Sequence, residues 1–317
     1  MAYNMLCDFF IAIKNSAKDA NSRATHSSES KRIDWRRSMK FLVFAGDLRQ
    51  EYLAKRLKEM NHDVHLLSGK ADAKEEKAYK RGIQELIRES DVLVLPTPSF
   101  TPEAMVRGSE LSLAELSEDL HEGQIVFGSV IRKEYAHFLE QKGVKVHDMM
   151  ASEEVAVRNA VATAEGAIAE AIGLTLSNLH DMNVLVIGYG RCGSVLAQKL
   201  KGLCREVCVS ARRAEVCTKA DVTGFRSVLQ KDCEWERYNL IFNTVPAMVL
   251  REDEIVRVRK DCVIIDLASA PGGIDYESCE KLGITAKLCS ALPGKYAPET
   301  SGTILAEEIE RSIPCRK

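Results

Sequence analysis

The sequence lacks the features that mark several large functional classes. No run of about 18 apolar residues occurs, so no membrane-spanning helix is expected. Neither sign of charge is in excess: 44 Lys and Arg stand against 46 Asp and Glu, for a net charge of −2. Charge-driven binding to nucleic acid or to an anionic membrane surface is therefore excluded. Ten cysteines are present but no Cys-x-x-Cys. Cys204 and Cys208 are four apart, and no His or Cys pair lies near them to complete a zinc site. Histidine is missing altogether beyond His180, where nearly all the cysteines lie, so no metal is expected. The short apolar run in MAYNMLCDFFIAI is broken by Asp8 and has neither a basic start nor a cleavage site. No secretory leader is expected, and the chain reads as cytoplasmic with reduced thiols.

What is there is a chain of 317 residues, 45% of them hydrophobic. At roughly 150 residues per domain this is enough for two buried cores. Residues 1–38 include NSAKDANSRATHSSESKR (15–32), polar without an apolar period, and predict a disordered extension. From 39 to 155 strands and helices alternate. FLVFA (41–45), DVHLL (63–67), DVLVLP (91–96), QIVFG (124–128) and VKVHD (144–148) read as strands. Tyr52, Leu53, Leu57 and Met60 mark one helix, and Ile83, Leu86 and Ile87 a second within 70–90. An Ala-rich stretch, 151–178, predicts a long bridging helix that opens at Ser152.

A second alternating block, within 156–299, has strands at 183–188, 206–210, 239–245, 262–268 and 285–289, with a weak one near Gly224 and Phe225. The amphipathic tail 300–313 is expected to pack back on the first block. The fold class is thus α/β: two doubly wound parallel-sheet domains joined by a long helix, the second a Rossmann dinucleotide-binding domain.

Gly188-Tyr189-Gly190-Arg191-Cys192-Gly193 fits G-x-G-x-x-G. The motif alone is weak, but it follows the strand NVLVI and opens the helix SVLAQKLKGL. In that setting the first glycine permits the turn, the second lets backbone approach a pyrophosphate, and the third lets helix and strand pack closely. The next strand ends Ser210-Ala211-Arg212-Arg213, with no Asp or Glu to accept from a ribose 2′-hydroxyl. Ser210 and two guanidinium groups suit a 2′-phosphate, so NADP is expected over NAD. Surface solvation of the two arginines is the competing reading. Asn243-Thr244-Val245-Pro246 ends the fourth strand and is expected beside the ribose or nicotinamide. Asp266, before a Gly-rich turn, either caps backbone or meets substrate.

GDLRQ (46–50), NAVATAEGAI (159–168), VIGYGRCG (186–193), FNTVPAMVL (242–250), DLASAPGGIDY (266–276) and LPGKYAPETSGTIL (292–305) together resemble the A-subunit family of dipicolinate synthase, over about 39–310. The resemblance implies NADP-dependent oxidation of dihydrodipicolinate, formed from a hydroxylated tetrahydrodipicolinate, to dipicolinate. It further implies a role in spore formation in the mother cell of a sporulating bacterium. Its partner would be the B-subunit of dipicolinate synthase, which looks like a flavoprotein. A homo-oligomer is also expected.

Aromatising a dihydropyridine removes one hydride and one proton, and the substrate is a small-molecule dicarboxylate that needs cationic partners. Arg49 is the leading carboxylate clamp, with Gln50 as a supporting donor. Asp47 is either a helix cap or part of the site. Asn159 and Thr163 share a face of the bridging helix, whereas Glu165 is turned toward a different wall. Packing between the halves is the competing reading for Thr163 and Glu165. Tyr189 and Lys295 are weak candidates for the base, and a water held by Ser269 or Asn243 is the alternative. The missing histidine argues against the 2-hydroxyacid dehydrogenases, which share the layout. A non-catalytic nucleotide-binding scaffold, or another two-domain dehydrogenase of an amino or hydroxy acid, is the remaining alternative.

Overall fold

The computed structural model describes residues 38–67 and 76–314. The expected disordered extension, apart from Ser38, and the start of the expected 70–90 helix lie outside the described residues. The first lobe alternates β1 (Lys40–Phe44), α1 (Leu48–Glu59), β2 (Asp63–Leu67), α2 (Glu76–Glu89), β3 (Val92–Val94), α3 (Leu113–Glu118), β4 (Ile125–Gly128), α4 (Lys133–Glu140) and β5 (Lys145–Asp148). A 3-10 turn leads into α5 (Glu153–Leu174), which runs to the second lobe. That lobe comprises β6 (Asn183–Ile187), α6 (Arg191–Leu200), β7 (Glu206–Ala211), α7 (Ala214–Val222), β8 (Arg226–Leu229), β9 (Leu240–Asn243), α8 (Glu252–Ile255), β10 (Val263–Asp266), α9 (Tyr276–Leu282) and β11 (Thr285–Leu288). The short α10 (Leu292–Tyr296) and then α11 (Pro298–Ser312) follow.

Every strand pairing is parallel among the described residues, in two sheets of order β2-β1-β3-β4-β5 and β11-β10-β9-β6-β7-β8. The α/β class with two parallel-sheet domains is therefore the architecture. The second order reverses direction between β6 and β9, and a crevice opens there at the carboxyl ends of the strands. The central strands are apolar throughout because helices cover both faces of each sheet. Phe41, Val43, Leu53, Leu57 and Phe127 pack with Ile304, Leu305 and Ile309 on one face of the first sheet. The last helix, α11, thus completes the first lobe's core, lying against α1.

Several boundaries differ from the sequence reading. The weak strand near Gly224 falls instead at Arg226–Leu229, because Gly224 takes a positive φ of 83° as the turn ending α7. The third strand is shorter, Val92–Val94, although Leu95 N still donates to Phe127 O at 2.8 Å. The bridging helix does open at Ser152, whose hydroxyl accepts from the Val155 amide, but it stops at Leu174, short of the expected 178.

Candidate active site in the cleft between the lobes

The carboxyl ends of both sheets face one cleft of about 1400 Å³. That exceeds the roughly 300–1,000 Å³ typical of a single drug-sized ligand. Five arginines line it, Arg49, Arg107, Arg191, Arg212 and Arg213, and no Asp or Glu does among the described residues. Electrostatically it is a site for anions.

The second-lobe wall is mostly backbone. Ile187, Ser210, Asn243 and Asp266 lie in register across β7, β6, β9 and β10 and form the rim. Beyond the rim, Gly188 N donates to Ser210 O at 2.8 Å, and Thr244 donates to Ile187 O through both its amide (3.0 Å) and its hydroxyl (2.9 Å). The loop is thereby fixed before any ligand arrives. Gly193 is required by the fold itself, because a Cβ there would stand 2.2 Å from Gly188 O. Gly190 differs: a Cβ there would meet no protein atom within 4 Å, so the space it leaves belongs to the cleft. Gly190 also precedes α6 without any side-chain cap, so the first helical amides are available to an anion. Ser210 is fully buried, and its hydroxyl has no hydrogen-bond partner although it lines the cleft. An open glycine, an uncapped helix and an orphaned hydroxyl at the end of the second strand fit a dinucleotide.

The residues expected on this wall divide by geometry. Gly188, Tyr189, Gly190, Arg191, Cys192, Ser210, Arg212, Arg213, Thr244, Val245 and Pro246 line the cleft. Gly193 and Asn243 do not; they support it from behind. Asn243 is fully buried, donating to Asp266 at 2.8 Å and to Val245 O at 3.2 Å while accepting from Val245 N at 2.9 Å. Its amide is thus committed within the loop. Asp266, also fully buried, accepts from Asn243, Ala268 N, Gly273 N and Tyr276 OH. It caps the 267–273 turn and does not line the cleft. Arg212 makes no ion pair among the described residues, whereas Arg213 lies 3.4 Å from Glu215 and Arg191 3.0 Å from Glu153.

The first-lobe wall is made of side chains. Asp47 caps α1, accepting from Arg49 N at 3.0 Å, and Gln50 Oε1 accepts in return from Asp47 N at 3.3 Å. Both brace the start of α1, and neither lines the cleft. Arg49 does line it but is only 7% exposed, and its guanidinium is engaged by Asp47 at 2.6–3.0 Å and by Thr97 O at 3.3 Å. Burial opposes ionisation of Asp47, but the Arg49 guanidinium and amide outweigh it and hold the carboxyl below its usual value.

From α5, Asn159 and Thr163 reach the cleft, and Thr163 donates to Asn159 O at 2.9 Å. Glu165 does not reach it; it is exposed and pairs with Lys199 at 2.8 Å. Ser269 lines the cleft from the exposed turn after β10.

Both candidate bases are engaged elsewhere. Tyr189 OH shares a 2.7 Å hydrogen bond with Thr223, and Lys295 donates to the buried Glu170, as do Lys287 at 2.7 Å and Tyr296 at 2.8 Å. Lys287, then Lys295 and Tyr296, pull Glu170 down to about 2 against its burial. Burial pushes the cleft thiols of Cys192 and Cys289 up, so both stay protonated. No His, Asp, Glu or Lys lines the cleft among the described residues. Sequence reasoning misses Arg107. Its only signal is a position beyond the carboxyl end of β3, and the strand pattern ends at Pro98.

Residues 40–150 match the family model for the N-terminal domain of the dipicolinate synthase A-subunit. The dipicolinate synthase A-subunit of Bacillus subtilis (strain 168) is 30% identical over 285 residues, 87% of this chain and 96% of that protein. Two crystal structures superpose on this one. The A chain of dipicolinate synthase from Bacillus subtilis gives a TM-score of 0.73 at 25% identity, over 87% of this chain and 95% of that one. The corresponding dipicolinate synthase protein from Bacillus halodurans gives 0.74 at 26%, over 87% and 98%. With a relative 30% identical over 87% of its length, the chain belongs to the A-subunit family of dipicolinate synthase.

Proposed function

We propose that the protein is the NADP-dependent subunit of a dipicolinate synthase. It oxidises dihydrodipicolinate, formed by dehydration of 4-hydroxytetrahydrodipicolinate, to dipicolinate. The observation that carries this reading is the cleft itself: one wall fits a dinucleotide, and all the formal side-chain charge along it is positive.

When bound, NADP supplies the hydride acceptor at its nicotinamide ring. The chain's own residues then have separable tasks. The loop 188–193 and the first turn of α6 take the pyrophosphate. Ser210 and Arg212 take the ribose and its 2′-phosphate, because Arg212 is the uncommitted guanidinium at the end of β7. Thr244, Val245 and Pro246 form the floor on which the redox ring rests. The first-lobe wall orients a dianionic ring across from that floor, at a distance set by α5. Ser269 holds the water that accepts the proton lost as the ring becomes aromatic. The gain in aromaticity drives the step, so positioning, with no strong base in the cleft, is what the protein has to provide.

The physiological setting follows the family: the mother-cell cytoplasm of a sporulating bacterium, with the flavoprotein-like B-subunit as partner and a homo-oligomer of the present chain. No helix among the described residues is long and apolar enough to cross a membrane.

The test incubates the purified protein, with and without the B-subunit, with freshly made precursor and NADP. Growth of NADPH absorbance together with dipicolinate is the expected result. Neither signal under either condition rejects the reading.

A further inference from the structure

The first-lobe wall offers two guanidinium groups in different states. That of Arg49 is occupied by the Asp47 carboxylate and the Thr97 carbonyl, so the pair carries no net charge. The Arg107 guanidinium has no ion pair and no hydrogen bond among the described residues, yet it lines the same cleft. The exposed Glu103 carboxyl is held below its usual value first by the Thr101 hydroxyl and its own amide, with Arg107 a lesser influence.

The Arg107 backbone is firmly placed. Arg107 N donates to Ser99 O at 3.0 Å, Val106 beside it is fully buried, and Val106 N donates to Leu111 O at 2.8 Å. Gly108 follows with φ of 75°, and a Cβ there would stand 3.4 Å from Ala45 O, so the loop is seated on the end of β1. Arg107 is an uncommitted cation on a fixed stem. A second uncommitted group lines the cleft from α5. Asn159 is only 7% exposed, and its Oδ1 is buried without a hydrogen-bond partner. With neither face of that amide pinned, it can turn its Nδ2 toward an acceptor.

We propose that Arg107, assisted by the Asn159 amide, binds one carboxylate of the substrate and makes the site selective for a ring bearing two carboxylates over a ring bearing one. The assignment rests on the dicarboxylate reading above. A dianion placed against this wall without Arg107 meets only the neutral Arg49–Asp47 pair. Arg191, Arg212 and Arg213 belong to the opposite wall, where the phosphates bind.

The test measures binding of pyridine-2,6-dicarboxylate and pyridine-2-carboxylate to the NADP-loaded protein, so no turnover is needed. The wild type is expected to prefer the dicarboxylate. Arg107→Ala is expected to lose roughly ten- to a hundred-fold in dicarboxylate affinity, the range for a charged hydrogen bond, and with it the preference. Arg107→Lys recovers part of both, and NADP affinity measured alone is unchanged. A wild type that discriminates beside an Arg107→Ala protein that discriminates equally overturns the role of Arg107 and leaves the dicarboxylate site standing. Loss of NADP affinity in place of dicarboxylate affinity also overturns it, since the group would then be a phosphate ligand. A wild type indifferent to the second carboxylate overturns both.

Discussion

The two walls of the cleft solve the same problem, an anion to be held, by opposite means. The second lobe uses backbone: an uncapped helix end, a glycine with open space beside it, and a rim cross-braced by Asn243, Thr244 and Asp266. The first lobe uses side chains, among them the paired Arg49, and among the described residues leaves Arg107 and the Asn159 amide uncommitted. Backbone amides bind any phosphate at low cost in entropy, because they are fixed in advance. Side chains can distinguish one ring acid from another. The cofactor wall is thus a scaffold shared in principle with many dehydrogenases, whereas selectivity has to be sought on the other side.

The contrast fails most severely when the brace behind the cofactor wall is removed. Asp266→Ala leaves four donors without an acceptor in a buried turn, and is expected to cost about 3 kcal/mol or more, read as a lowered Tm. A stability close to wild type would show that the brace is dispensable. Next come two alanine substitutions on one loop. Gly193→Ala forces a Cβ onto Gly188 O and is expected to cost about 1–3 kcal/mol as well as abolish nucleotide binding. Gly190→Ala meets no protein atom, so its Tm is expected to stay at the wild-type value while nucleotide binding is lost. Equal Tm losses in the two variants would remove the distinction between a glycine kept for the fold and one kept for the ligand.

A smaller effect is expected at Arg212. Arg212→Ala should weaken NADP by about ten- to a hundred-fold relative to NAD, whereas Arg213→Ala, whose side chain already pairs with Glu215, should do less. An unchanged ratio in titrations with both dinucleotides would return both arginines to the solvated surface.

The mildest is Glu170→Gln, expected to cost about 1–2 kcal/mol because the lysines it binds are half exposed. The sign of its pH dependence follows from a lowered folded-state value. The stabilisation is present above the ordinary glutamate value of 4.5 and is lost as pH falls toward 2. Denaturant titrations from about pH 6 to about pH 3 should show wild type and variant converging, and parallel curves would contradict that.

The cofactor wall is largely legible in the sequence because its logic is local. Gly188, Gly190 and Gly193 sit between a strand and a helix, and each has a task fixed by its neighbours in the chain. The first-lobe wall is not, because its logic is tertiary. Arg107 becomes part of the cleft only when Gly108 and Val106 seat its loop on β1, and no pattern in 99–112 announces that. Asp266 reads equally as cap or ligand until the fold brings Gly273 and Tyr276 to its carboxylate. The facing of α5 is half legible. Asn159 and Thr163 do share the cleft side, and Glu165 does turn away. Its partner Lys199, however, lies on α6, and an Ala-rich helix buried on several sides gives little sign of which neighbour each face meets.

The return of α11 to the first lobe has a consequence for synthesis on the ribosome. Ile304, Leu305 and Ile309 complete a core whose other members, Phe41 through Phe127, are translated far earlier. One apolar face of the amino-terminal sheet therefore stays uncovered until α11 is made, after the second lobe, which is contiguous in the chain. The core of the first lobe is thus completed by a helix that follows the second lobe in the chain.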